Sequence, residues 1–209
     1  MEDVNSSKTI TMKKNIFLFA LMINLPISPT SAQQFGLNMG QTATQIKSSG
    51  VKLEKTSVDS VWRTSYLPYG NKMFDEYSFL IGTKSGLCKI IAWISRIDDS
   101  KYGTTTRDKY TSLQDALNKR YGEGKGYDFL QAGSIWKDNH EWMWSIYKKE
   151  RVLVTYWTEP NKAEKSNLKS LKLEVTGTSP ETSMINVTYE FNNFRACSAE
   201  LIETQNNNL

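Results

Sequence analysis

From Leu87 to Ile97 the chain reads as a strand that is apolar on both faces. Leu87, Ile91, Trp93 and Ile97 fall on one face, and Cys88, Ile90, Ala92 and Ile94 on the other. Successive side chains of a strand point to opposite faces, so such a strand belongs inside a covered sheet. It is preceded by the strongest alternation in the chain, Tyr77, Phe79 and Ile81, and by the turn Thr83-Lys84-Ser85-Gly86. Those two runs make an antiparallel hairpin, with the return strand in the interior.

The remaining elements arrange themselves around that hairpin. Thr42 followed by Gln45 makes a capping box for a short helix over 43–49, stopped by Gly50. Runs 51–56 and 58–67 read as strands that end at Pro68 and Gly70-Asn71. Thr104 to Thr106 cap a helix over 107–121, whose stripe is Tyr110, Leu113, Ala116, Leu117 and Tyr121. Gly122, Gly124 and Gly126 lie between that helix and a strand. A phosphate-cradling loop has the reverse order, so they read as a helix stop and a turn. Runs 133–137 and 141–147 read as strands about a turn at Asp138-Asn139, and 151–158 as a returning strand. Residues 160–167 are loop-like. Leu171, Leu173 and Val175 alternate on one further strand, Ile185, Val187, Tyr189 and Phe191 on the next, and a last helix over 193–204 aligns Phe194, Cys197 and Leu201. The expected fold is α+β, a curved antiparallel sheet with helices packed on one side. The order of helix then strands, twice, hints at two similar helix-plus-strands units.

The first 32 residues have the layout of an export signal. Lys13 and Lys14 precede the apolar run from Ile16 to Ile23, Pro26 and Pro29 break it, and Thr30-Ser31-Ala32 fits a cleavage site before Gln33. Met12-Lys13-Lys14 looks like the natural start of translation. The apolar run falls short of the ~20 residues that span a bilayer, so no stable membrane insertion is expected after cleavage. The expected organisation is a signal over 1–32 and a single α+β domain over 33–209. Cleavage removes three basic and two acidic residues, leaving 23 and 20, a mild net charge of about +3. The lysines are scattered rather than gathered on one face, so nucleic acid is not an expected partner.

Cys88 and Cys197 are the two cysteines, in a chain bound for an oxidising compartment. A bridge between them would close a long loop and contribute on the order of 4 kcal/mol in the chain-entropy model. The other reading is two buried thiols packed as small hydrophobes.

No residues assemble into a catalytic constellation, and neither a metal site nor a cofactor is expected. The single histidine, His140, sits in a polar turn, and metal-ligand spacing is missing. The acidic pairs Asp75/Glu76, Asp98/Asp99 and Asp138/Glu141 lie at turns or strand ends, where solvated acids are common. The aromatic crowd of Trp136, Trp142, Trp144, Tyr147, Tyr156 and Trp157 supplies the binding candidates, chiefly Trp136, Trp142, Trp144, Tyr147 and Trp157. Aromatics with a polar tip are enriched at binding surfaces and also fill cores, so both readings stand at this point.

The segments FGLNMGQTATQIK, YSFLIGTKSGLCKI and NKRYGEG, with the later tryptophan-bearing strands, resemble a group of uncharacterised exported proteins of Gram-negative bacteria. The resemblance implies compartment and fold but no site. The expectation is a periplasmic or secreted domain that binds an unknown protein or an envelope component through a sheet face or the aromatic cluster. The alternative is a hydrolase of a cell-envelope polymer. Intact mass of the protein from its producing cells checks the export reading. A chain beginning at Gln33 is expected, and an uncleaved chain would overturn it.

Overall fold

A computed structural model of the chain describes residues 33–158, 160 and 167–207. The expected export segment and most of the expected loop 160–167 lie outside the described residues. In chain order the elements are α1 (Ala43–Ser48), β1 (Glu54–Lys55), β2 (Val61–Thr64), β3 (Glu76–Gly82), β4 (Gly86–Asp98), α2 (Thr104–Tyr121), β5 (Lys125–Leu130), α3 (Trp142–Tyr147), β6 (Arg151–Thr158), β7 (Leu168–Ser179), β8 (Thr182–Phe191) and α4 (Phe194–Asn207). The strands form one eight-stranded antiparallel sheet in the order β1-β2-β3-β4-β8-β7-β6-β5. It is therefore two four-stranded meanders, each preceded by a helix, joined along β4 and β8. The α+β fold, an open curved sheet with its helices on one side, is the one expected.

β4 is central, yet it does not divide its apolar residues as strict alternation would. Tyr77 pairs with Ala92 and Phe79 with Ile90, and a register shift then brings Ile81 opposite Leu87. A second shift, between Ile94 and Ile97, brings Ile97 opposite Ser183. Each bulge inserts a residue and flips the alternation beyond it. Leu87, Ile90, Ala92, Ile94 and Ile97 consequently all turn to the covered side and are buried. Only Ile91 and Trp93 face the other way, both half-buried. The strand that reads as apolar on both faces is thus bulged so that one face suffices.

The covered side holds Tyr77, Phe79 and Ile81 from β3, Leu171, Leu173 and Val175 from β7, and Ile185, Val187 and Tyr189 from β8. The α2 residues Tyr110, Leu113, Leu117 and Tyr121 are buried as part of the same core, whereas Ala116, expected in the stripe, is exposed. Polar clasps hold α2 to β6. The Tyr110 hydroxyl lies 2.6 Å from Thr155 Oγ1, and Trp157 Nε1 donates to the Gly122 carbonyl at 2.8 Å. Burial pushes the Tyr110 hydroxyl up to about 12, although its bond to Thr155 pulls the other way.

The expected strands at 133–137 and 141–147 do not form. The first region is a turn, and the second is a 3-10 turn (Asn139–Glu141) leading into α3. Asp138 and Glu141 form a reciprocal capping box that starts a helix there. Trp142, Met143, Ser145 and Ile146 are then buried at helical spacing. Runs 51–56 and 58–67 likewise shrink to β1 and β2, with Val51, Leu53 and Leu67 buried outside any strand.

The Cys88–Cys197 disulfide is present, joining residues 109 apart in sequence with Cα atoms 6.3 Å apart. It ties α4 to the β3–β4 hairpin. The Lys84 backbone N–H donates to Glu200 Oε2 at 3.0 Å, and Asn193 Nδ2 donates to the Ser85 and Leu87 carbonyls. The start of the domain packs at the same corner, where Gly40 and Leu87 are joined by a backbone bond of 2.8 Å. Gly86 has φ +66°, and a Cβ there would run into the Gly40 carbonyl, so this turn requires glycine. Replacing both cysteines by serine should cost about 4 kcal/mol, read as a lower urea midpoint. An unchanged midpoint would contradict a structural role for the bridge.

Candidate functional site

The registers of the seven strand pairs define what the uncovered face presents. One row across the sheet runs Val61, Leu80, Lys89, Glu190, Ser170, Thr158. The next runs Arg63, Ser78, Ile91, Thr188, Lys172, Tyr156, Lys125, and the third Glu76, Trp93, Asn186, Glu174, Val154, Tyr127. Polar and charged side chains dominate because their odd or even partners on the same strands fill the core.

In the middle of this face, β4, β8, β7 and β6 line a cavity of about 420 Å³. Its charges come in matched pairs. Lys89 Nζ lies 3.0 Å from Glu190 Oε1 directly across the β4–β8 seam, and Lys172 Nζ lies 2.6 Å from Glu174 Oε2 along β7. Asn186 and Thr188 form a buried polar floor, the Thr188 hydroxyl donating to Asn186 Oδ1 at 3.2 Å. Ser170 Oγ donates to Glu190 Oε2 at 3.3 Å. Trp93 stands at one side, its Nε1 donating to Ser78 Oγ at 3.2 Å. Tyr156 stands at the other with its ring 6.2 Å from that of Tyr127, edge to face. Tyr156 is 41% exposed although the next residue, Trp157, is 2% exposed.

Comparison with protein-family models, curated proteins and solved structures gives no match for the chain.

The aromatic crowd divides in two. Trp142 and Trp157 belong to the core, and a Cβ at Gly103 would collide with the Trp142 ring. Trp136, Trp144 and Tyr147 come together at the surface. Trp136 stacks on Trp144 with centroids 5.0 Å apart and planes at 14°, and Tyr147 meets Trp144 at 6.0 Å. Trp142 and Trp144 lie on the helix α3 and not on the strand expected over 141–147. Tyr156 alone of the crowd lines the open-face cavity.

The acidic pairs are engaged structurally. Asp75 accepts the Ser95 N–H and hydroxyl, Asp98 pairs with Arg96 at 2.7 Å, and Asp138 and Glu141 cap the turn before α3. His140 is exposed in that turn. Among the described residues no group of three or more histidines, cysteines or acids is placed to hold a metal ion. Glu174 and Glu190 share the cavity but stand in rows four residues apart along paired strands, their backbones about 13 Å apart, and each has its own lysine partner.

The sequence reading missed the open-face set of Lys89, Lys172, Glu174, Asn186, Thr188 and Glu190. The signal was in β7 and β8, where these residues alternate with the apolar ones. Alternation exposes a solvated face as plainly as a core.

Asp99 takes the role expected of a threonine. Gly103 occupies the N-cap of α2 with no side chain to offer, and Asp99 accepts the N–H groups of Ser100, Thr105 and Thr106 and the Thr106 hydroxyl. Burial raises its carboxyl, but these bonds outweigh burial and hold it below the ordinary value. A depressed carboxyl contributes stability above its unfolded value and loses it as pH falls through the folded one. Asp99→Asn should therefore be less stable than the parent at neutral pH, by about 1 kcal/mol as for a lost cap. The gap should close below about pH 4, the unfolded carboxylate range. Urea unfolding across pH checks this, and a pH-independent gap would contradict it.

Proposed function

We propose that the domain is an exported binding module, acting in the periplasm or outside the cell, that holds an envelope component or partner on the open face of its sheet. The supporting observation is the cavity lined from four adjacent strands, with a buried polar floor between aromatic walls. Binding sites combine concavity, aromatic walls and a few placed polar groups. The export reading rests on the N-terminal sequence and is consistent with the Cys88–Cys197 bridge. No helix among the described residues is long and apolar enough to cross a membrane. Glu174 and Glu190 are each engaged by a lysine partner, which favours binding over hydrolysis.

Lysine footprinting tests this reading. Acetylation rates of Lys89 and Lys172 should fall several-fold when the purified protein is placed in extract of the producing cell's envelope, while Lys109 on α2 is unaffected. Equal rates for Lys89 and Lys172 in buffer and extract would contradict an occupied open face.

A further inference from the structure

We propose that the ligand of the open face is an uncharged oligosaccharide, an inference that rests on the binding reading above. Both lysines and both glutamates of the cavity are already paired, at 3.0 Å and 2.6 Å, so the lining carries no net charge. An anionic ligand drawn to Lys89 or Lys172 would meet a carboxylate beside each, and a cationic one drawn to the glutamates would meet an ammonium. Neither sign is favoured.

The same pairs are rich in what a hydroxyl needs. Ammonium groups donate, carboxylates accept, and Asn186, Thr188 and Ser170 do both. A sugar hydroxyl is at once donor and acceptor and can bridge such a pair without displacing it. A peptide lying across this floor would find no apolar pocket for side chains, and it would run over strands whose backbone groups are already bonded to neighbours.

The walls supply the other half of sugar chemistry. Trp93 has its indole N–H satisfied by Ser78 and offers ring surface to the cavity, and Tyr156 with Tyr127 offers a second ring surface. Trp93 lies on β4 and Tyr156 on β6, three inter-strand spacings apart, about 14 Å. An aromatic surface, a polar floor and a second aromatic surface match a chain of rings with apolar C–H faces and hydroxyl edges. The cavity of about 420 Å³ lies within the range for small-ligand sites.

The test uses the exported form, residues 33–209, followed by amide chemical shifts. The probes are uncharged gluco-, galacto-, manno- and N-acetylglucosamine oligomers of three to five units, with polygalacturonate and chitosan oligomers as anionic and cationic counterparts. At least one uncharged oligomer at millimolar concentration should shift amides confined to β4, β6, β7 and β8 and bind tenfold or more tightly than either charged series. Tyr156→Ala, at an exposed position, should weaken it at least tenfold, and Lys172→Met gives a second variant on the floor.

Preference for a charged series, or shifts away from these strands, would overturn the proposal. So would silence from every uncharged oligomer while envelope extract freed of carbohydrate still protects Lys89 and Lys172. That last outcome leaves the binding reading intact, whereas lysines protected by no extract remove both.

Discussion

The pairing of β4 with β8 turns two four-stranded meanders into one sheet. Each meander alone would present an open edge of unpaired backbone groups. Of the strand pairings the seam joins the residues most distant in sequence, so its closure carries the largest loop entropy cost in the sheet. The disulfide lies at the end of that seam. Cys88 directly precedes Lys89, which pairs with Glu190 on β8, and Cys197 sits on the helix that follows β8. Bridge and seam therefore restrain the same two stretches of chain, and the α4 contacts to the β3–β4 hairpin reinforce them.

The seam also determines what the uncovered face displays. Once Ile90 pairs with Tyr189 and Ala92 with Val187 toward the core, Lys89, Ile91 and Trp93 must face Glu190, Thr188 and Asn186 on the opposite side. The charge pairs and polar floor of the cavity follow from that register. A one-residue slip would send the core residues of β8 to the open side, so the burial of Ile185 and Val187 protects the site without touching it.

The sheet was largely legible in the sequence because its strands alternate: β3, β7 and β8 place their apolar residues as read. The centre of β4 was legible too, but not its bulges, since alternation along one strand does not show where its pairing with a neighbour gains an extra residue. The helix α3 was misread as a strand because Trp142-Met143-Trp144 suits extended chain by composition. The spacing of Asp138 and Glu141 before an apolar run carried the capping signal that would have found it. Of the aromatic candidates, sequence could not separate Trp142 and Trp157 in the core from Trp136 and Trp144 at the surface, since that depends on which helix covers which strand. The open face was present in the alternation of β7 and β8, whose polar residues fall between the core ones.

One side of this sheet is packed and the other is free. Tyr156 and Trp157 are adjacent on β6 and point to opposite sides, 41% and 2% exposed. Hydroxyl-radical oxidation of the free protein, read residue by residue, compares them within one strand. The structure predicts ready oxidation of Tyr156 and strong protection of Trp157, normalised to intrinsic reactivity. Equal protection of the two would mean that the second face is covered, and reversed protection that the register of β6 is wrong.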